Sequence, residues 1–306
     1  MKVVNEVPKE IAQIYMDYPN IGRDTLTKDF GLSHHEARIY SWIMKNGKHI
    51  YHHDLATQPE DGGTKKAAIL PDIHFPYHDQ KALDVALNYV LKVGVDVVVI
   101  PGDGVDCYQI SFWKTDPLRD PFHVEVSKSV KFIEKLSALF PDEEKIWIEG
   151  NHELRLRNML WTRAPEFAGL PGIDIPSIYK IKESGFNYVS NFQLFQSGMK
   201  PFSIGKLFVL HGQEIKISGG AVNFAKLHYD KNPVTQINTH HHQTQEHITR
   251  KMDLNTDGSW TTGCLCDLHP DYAPANRWNH GLAIVEYDSG GFFSVMNKKI
   301  IDGRVL

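Results

Sequence analysis

Cysteine is scarce in this chain, with three among 306 residues. Cys107, Cys264 and Cys266 are an odd, sparse set that makes no disulfide framework. Cys264-Leu265-Cys266 is spaced too tightly for a Cys-x-x-Cys zinc hook, and reads instead as part of a buried strand. Long apolar runs are missing too: none approaches the ~18–20 residues that span a bilayer. The opening residues, MKVVNEVPKEIAQIYMDYP, contain neither the apolar segment nor the small-residue cleavage site of a secretory signal. The sequence therefore predicts an intracellular, cytoplasmic protein. No charge dominates. There are 33 Lys and Arg against 37 Asp and Glu, a net of −4, and no Lys/Arg-rich run to leave an electrostatic footprint for nucleic acid. Internal repeats and low-complexity tracts are absent.

Histidine is what the chain has in excess, with 17 residues. Imidazole is the commonest transition-metal ligand and a general acid near neutral pH, so the excess points toward metal chemistry. It is not sufficient evidence, because His34-His35 and His52-His53 stand apart from any ligand-like spacing.

The patterning divides the chain in two. Residues 1–60 read as helical: an amphipathic stretch over 8–16, a short helix over 25–30, a turn at Gly31, and a helix to about Lys45 that starts with the capping-box form Ser33-His-His-Glu36. This outline is helix-turn-helix-like, although Arg38 and Lys45 give the third helix only a weak basic face. A bland alternative is a packing or oligomerisation extension. Residues 51–64 read as a linker. From 61 to 306 short apolar runs alternate with helical patterns, which implies βαβ units with buried strands. Strands are predicted at 66–70, 95–100, 145–149, 207–210 and 235–239, and helices at 80–92, 124–140 and 221–230. The later segments 261–265, 282–287 and 292–297 predict an antiparallel closing section. The irregular stretch 155–205, directly after one of the ligand-bearing blocks below, is placed to shape substrate access.

Each of the first five strands ends in side chains suited to hard or borderline cations: Asp72-Ile-His74, Gly102-Asp103-Gly-Val-Asp106, Gly150-Asn151-His152-Glu153, His211-Gly212 and His240-His-His242. In α/β sheets ligands bind beyond the carboxyl ends of the strands, so these blocks converge although they are far apart in sequence. One such block alone carries little. The ordered set specifies two adjacent metal ions held by oxygen and imidazole, a donor set without thiolate that suits Mn²⁺, Fe or Zn²⁺.

The five blocks resemble the calcineurin-like metallophosphoesterase superfamily, whose pattern is D-x-H, G-D-x-x-D, G-N-H-[ED], H and G-H-x-H. The resemblance covers about 66–245, extends to phage and bacterial members often described as DNA-repair exonuclease-like, and leaves residues 1–60 unexplained. Two positions depart from the pattern: Thr239 where Gly usually precedes the first His, and Pro71 where a small residue is common. The resemblance implies an α/β sandwich of two central mixed β-sheets flanked by helices, here with a small N-terminal helical extension. It implies one ion, expected to be Mn²⁺, on Asp72, His74, Asp103 and His242. A second would sit on Asp103, Asn151, His211 and His240, with Asp103 bridging. It also implies in-line attack on phosphorus by a metal-bound hydroxide, with His152 protonating the leaving group and Asp106 orienting His152.

Arg155 is a candidate for a substrate phosphate, or equally for an ion pair with Glu153 or Glu149. His241 should point away from the ions by alternation, and Tyr272 and Trp278 are candidates for stacking on a base or for packing. The expected activity is that of a phosphodiesterase or nuclease on DNA or nucleotides. A phosphomonoesterase or protein phosphatase, or a DNA-binding regulator with an inactive phosphoesterase domain, are the alternatives. The expected partner is a phosphoester substrate, DNA included, and no membrane.

Overall fold

The structure, a computed structural model, describes residues 23–33, 37, 63–217 and 222–306. The chain forms two compact units, Met1–Asp61 and Gly62–Leu306. In the first, a helix α1 runs over Arg23–Asp29, where the sequence predicts a short helix at 25–30. The rest of the helix-turn-helix-like outline lies outside the described residues.

In chain order the second unit runs β1 (Lys65–Ile69), α2 (Gln80–Val93), β2 (Val97–Ile100), α3 (Phe122–Leu139), β3 (Glu144–Ile148), α4 (Leu154–Arg163), α5 (Ile175–Ile178), β4 (Asn187–Val189) and α6 (Asn191–Gln196). It continues through β5 (Ser203–Ile204), β6 (Leu207–Val209), α7 (Phe224–Lys231), β7 (Gln236–Asn238), β8 (Gln245–Arg250), β9 (Thr256–Thr261), β10 (Gly281–Tyr287), β11 (Phe293–Ile301) and β12 (Arg304–Val305). Two mixed sheets result, ordered β12-β11-β10-β1-β2-β3-β4 and β5-β6-β7-β9-β8. Strands β1 to β4 are mutually parallel, as βαβ crossovers require, while β10 closes antiparallel on β1.

Side-chain alternation along the strands builds both core layers. Ala67 and Ile69 of β1, Val97 and Val99 of β2, and Ile146 and Ile148 of β3 meet Leu207, Val209 and Ile237 of the other sheet. The intervening residues Ala68, Val98, Ile100 and Trp147 face the opposite way, onto α2 and α3. Near-continuous apolar strands such as Val97-Val-Val-Ile100 are the sequence mark of a sheet buried on both faces. The helix starts follow local chemistry: Asp79 accepts the amide of Ala82 (2.7 Å) at the head of α2, and Asn223 that of Lys226 (2.8 Å) at the head of α7.

One predicted element is corrected. The strand expected over 261–265 ends at Thr261, and Cys264 and Cys266, expected within it, form only isolated bridges to His280 and His78. Here the chain leaves the sheet to cross the loops above it: Cys264 N–H donates to Asn279 O (3.0 Å) and Leu265 N–H to Asp72 O (3.1 Å). Other elements were not legible: α4, α5, β4, α6 and β5 lie in or at the edge of the stretch 155–205 that reads as irregular. Strand β8 is a polar edge strand with alternating exposure, whose sequence Gln-Glu-His-Ile-Thr-Arg contains one aliphatic residue.

Candidate metal centre

The five blocks lie in loops that leave β1, β2, β3, β6 and β7 at their carboxyl ends. The Asp-x-His and His-x-His blocks share one backbone device. Asp72 and His74 have φ of 43° and 51°, and His240 and His242 have φ of 61° and 56°. Left-handed backbone at a non-glycine residue costs about 1 kcal/mol or more. Here it turns two alternate side chains toward one side. The residue between them faces away: Ile73 is buried in the core, and His241 stacks on Phe224 (ring centroids 3.9 Å, 8° between planes) and lies 3.0 Å from His228 Nε2. His241 is thus turned from the cluster, as the alternation predicts.

Two glycines let the loops close up. A Cβ on Gly150 would lie 2.3 Å from Asp103 Oδ1, and one on Gly102 (φ 108°) would lie 2.6 Å from His211 Nδ1.

The seven predicted ligands come together around Asp103. Its Oδ2 lies 3.2 Å from His211 Nε2 and 3.7 Å from His74 Nε2. His211 Nε2 in turn faces Asn151 Oδ1 (2.9 Å) and His240 Nδ1 (3.2 Å). Asp72 Oδ1 lies 3.3 Å from His242 Nε2, and the Asp72 carboxylate accepts the His240 amide. Two clusters of possible metal ligands, His74–Asp103–His152 and Asp103–His211–His240, share Asp103.

Asp106 sits between two imidazoles rather than behind one. Its Oδ2 is 3.0 Å from His74 Nδ1 and 3.4 Å from His152 Nδ1, while its main-chain oxygen is 2.9 Å from His152 Nδ1. Arg155 pairs with neither glutamate weighed for it. Its Nη1 donates to Asp106 Oδ1 (3.1 Å) and its Nη2 to His152 Nε2 (2.9 Å). Glu149 is engaged by Arg157 (3.5 Å). Buried Glu153 accepts the amides of Asp103 (3.0 Å), Gly104 (3.0 Å) and Gly150 (2.9 Å) and the indole N–H of Trp147 (3.1 Å). It is the clasp that joins the second block to the third. Outside the cluster, His78, His269 and His280 bond to Gln80, Pro274 O and Cys266 O.

A family model for calcineurin-like phosphoesterases matches residues 65–272. The chain belongs to that family. No curated protein matches its sequence. Among solved structures, this phosphoesterase is similar to vacuolar protein sorting 29 of Cryptosporidium parvum, at 10% identity over 79% of this chain and 95% of that one (TM-score 0.42). It is similar to the nuclease MPE of Pseudomonas putida at 11% identity over 75% and 87% (TM-score 0.32). It is also similar to YfcE, a phosphoesterase from E. coli, at 11% identity over 76% and 98% (TM-score 0.32). At such identities and TM-scores no residue role is carried over.

The phosphoesterase's own donor set fits divalent cations. His74 Nε2 is buried and has no hydrogen-bond partner. His211 Nε2 confronts a carboxylate, an amide oxygen and another imidazole at once, more than a single N–H can serve. The electrostatics agree. Burial disfavours the charge on Asp103, yet His152, His211 and His74 hold its carboxyl well below the usual range. Burial likewise lowers His211, but Asp103 lifts the imidazole to about 9. His242 is lowered by burial and raised by Cys264 and Asp72, to about 10. Burial and His211 push His240 down to about 3. The buried carboxylates thus demand positive charge, which protons or metal ions can supply.

Further residues complete the surroundings. Cys266 Sγ lies 3.7 Å from His242 Nδ1 and groups with His74 and His242 as a third set of possible ligands. Nothing in the Cys-x-Cys spacing signals this, because the approach is made by a loop that only the fold brings near. Above the ligands opens a cleft of about 510 Å³, with His74, Asn151 and His152 on its floor and Trp113, Lys114 and Tyr272 on its walls. Trp278 packs edge-on against His242 (4.1 Å). Among the described residues no helix is long and apolar enough to cross a membrane.

Proposed function

We propose that the chain is a dinuclear metal-dependent phosphodiesterase or nuclease acting on DNA or nucleotides. The observation that carries the reading is the position of Asp103, a carboxylate shared by two of the three clusters of possible ligands among the described residues. A bridging carboxylate is the device that holds two ions at the spacing of two-metal hydrolysis. Asp72, His74, Asp103 and His242 would hold one ion, and Asp103, Asn151, His211 and His240 the other. Two divalent ions, Mn²⁺ in this proposal, would activate water and neutralise the phosphoryl oxygens.

The remaining work belongs to side chains of the cleft. With Arg155 donating to Nε2, the His152 ring carries its proton on Nδ1 and gives it to the Asp106 carbonyl oxygen. When Arg155 transfers its fork to a substrate phosphate, Nε2 is free to take a proton and deliver it to the leaving alkoxide. Asp106 stays beside the imidazole, its Oδ2 3.4 Å from Nδ1. In this proposal residues 61–306 are the hydrolase, and residues 1–60 an extension that contacts DNA. The second half is lost if deleting 1–60 leaves DNA affinity and its salt dependence unchanged.

Arg155 also favours a second reading, a phosphomonoesterase or protein phosphatase, because a guanidinium fork suits a terminal phosphate dianion. A substrate panel separates the two. Protein loaded with Mn²⁺ is assayed on p-nitrophenyl phosphate, bis-p-nitrophenyl phosphate, and single- and double-stranded DNA. Turnover of the diester and DNA is expected; turnover of the monoester alone transfers the site to the second reading. Asp103→Asn should lower turnover by at least ~100-fold, more than the loss of an outer partner costs. Hydrolysis that survives this substitution rules out the two-metal site.

A further inference from the structure

The loop from Tyr108 to Asp120 and the loop from Asp267 to His280 both border the cleft, and each presents an aromatic ring to solvent. Trp113 is 76% exposed and Tyr272 is 62% exposed, and both line the cleft above the ligand cluster. Large exposed rings at a concave polar site mark a ligand surface rather than an incomplete core.

Both loops are braced from behind. Glu125 accepts the amides of Cys107 (2.6 Å) and Tyr108 (3.0 Å), and the Tyr108 hydroxyl accepts the Asp116 amide (3.0 Å). The Arg119 guanidinium lies over the neighbouring rings of Tyr77 and Tyr108, 4.7 Å from each centroid. The same guanidinium crosses to the other loop, with Nη2 2.6 Å from Asp271 Oδ2. Asp271 immediately precedes Tyr272, so this tie joins the loop that carries Trp113 to the loop that carries Tyr272. Loops already tied together lose less freedom when a flat group enters between them. Lys114 beside Trp113 and Arg155 on the floor add positive charge where a phosphate backbone would run. The volume, about 510 Å³, falls in the ~300–1,000 Å³ range of small-molecule sites. That is room for one or two nucleotides.

We propose that Trp113 and Tyr272 form a stacking clamp for an unpaired nucleobase next to the phosphate being hydrolysed, so that the substrate is single-stranded nucleic acid. The proposal rests on the phosphodiesterase reading and names the feature of the substrate that the site selects. Every base has a π-face, so the clamp is tolerant of sequence.

The test is binding of a short fluorescein-labelled thymidine oligonucleotide with uncleavable phosphorothioate linkages, to protein loaded with Mn²⁺. An abasic strand of equal length and a duplex serve as comparisons. The wild type should bind the base-bearing strand roughly 10-fold or more tighter than the abasic one, the scale of base–aromatic stacking. Trp113→Ala and Tyr272→Ala should each reduce that preference several-fold, and Trp113→Phe should restore part of it. Both side chains are exposed, so the variants should keep the wild-type melting temperature. Phe292→Ala, exposed elsewhere on the surface, should keep the full preference. Equal binding of base-bearing and abasic strands, or a duplex bound as tightly as the single strand, overturns the clamp. A base preference in a protein that hydrolyses no diester leaves the clamp standing and removes the phosphodiesterase reading; diester hydrolysis without base preference does the reverse.

Discussion

The hydroxyl of Thr239 lies 3.0 Å from Nδ1 of His211 and 3.1 Å from the carbonyl oxygen of the same residue. Pro101 O is 3.2 Å from the same ring nitrogen. Oxygens on that side fix the proton on Nδ1 and leave Nε2 to face Asn151, Asp103 and His240. Thr239 stands where the family pattern has glycine. Its φ is not in the left-handed region, so the position does not require one, and the extra hydroxyl orients the His211 ring.

Thr239→Val keeps the shape and removes the hydroxyl. Metal affinity, followed by calorimetric titration of the metal-free protein with Mn²⁺, should fall ~10-fold, the lower range for loss of an outer partner. An unchanged affinity would assign the hydroxyl to folding alone.

Metal binding should release protons. His211 and His242, raised to about 9 and about 10, are protonated at pH 7.5 and must lose those protons to become ligands. Calorimetric titrations in buffers of different ionisation enthalpy should report this release at pH 7.5, and less of it as the pH passes through 9 and 10. Chelation should lower the melting temperature and Mn²⁺ should restore it, because the buried carboxylates regain their counter-charge.

Glu125 makes stability depend on pH in the direction opposite to a salt-bridged carboxylate. Burial and the nearby Asp106 push its carboxyl up from 4.5 to about 7, against the pull of the Cys107 and Tyr108 amides. The folded state therefore holds this proton more tightly than the unfolded chain. The stabilisation is complete below about pH 4.5 and is lost as the pH rises through 7, on the order of 3 kcal/mol in total. Melting temperatures measured from pH 4.5 to 8 should show this decline in the wild type and a flatter profile in Glu125→Gln.

Glu153→Ala strands five donors, the amides of Asp103, Gly104, Val105 and Gly150 and the Trp147 indole, in a buried site. A loss of roughly 3 kcal/mol in a urea titration is expected, since each unsatisfied buried group costs about 1–3 kcal/mol and water partly enters the gap. The loop carrying Asp103 moves with it, so metal affinity should drop as well. Wild-type stability would show that the donors find other partners.

The sequence by itself determined which side chains gather around Asp103, their order, and their position just after the ends of five strands. These are local properties: strand periodicity and the residue that follows a strand are both written within a few positions. It also indicated correctly that His241 turns away, although the structure reaches this through left-handed backbone at His240 and His242 rather than through an extended segment. Only the tertiary structure decided which groups those residues meet. Asp106 faces His74 as well as His152, Arg155 takes Asp106 instead of a glutamate, and Glu153 clasps two loops. Cys266 arrives beside His242, and Arg119 ties one wall of the cleft to the other through Asp271. Such pairings join residues far apart in the chain, and no periodicity encodes them. They follow from how two sheets stack and how the loops above them close.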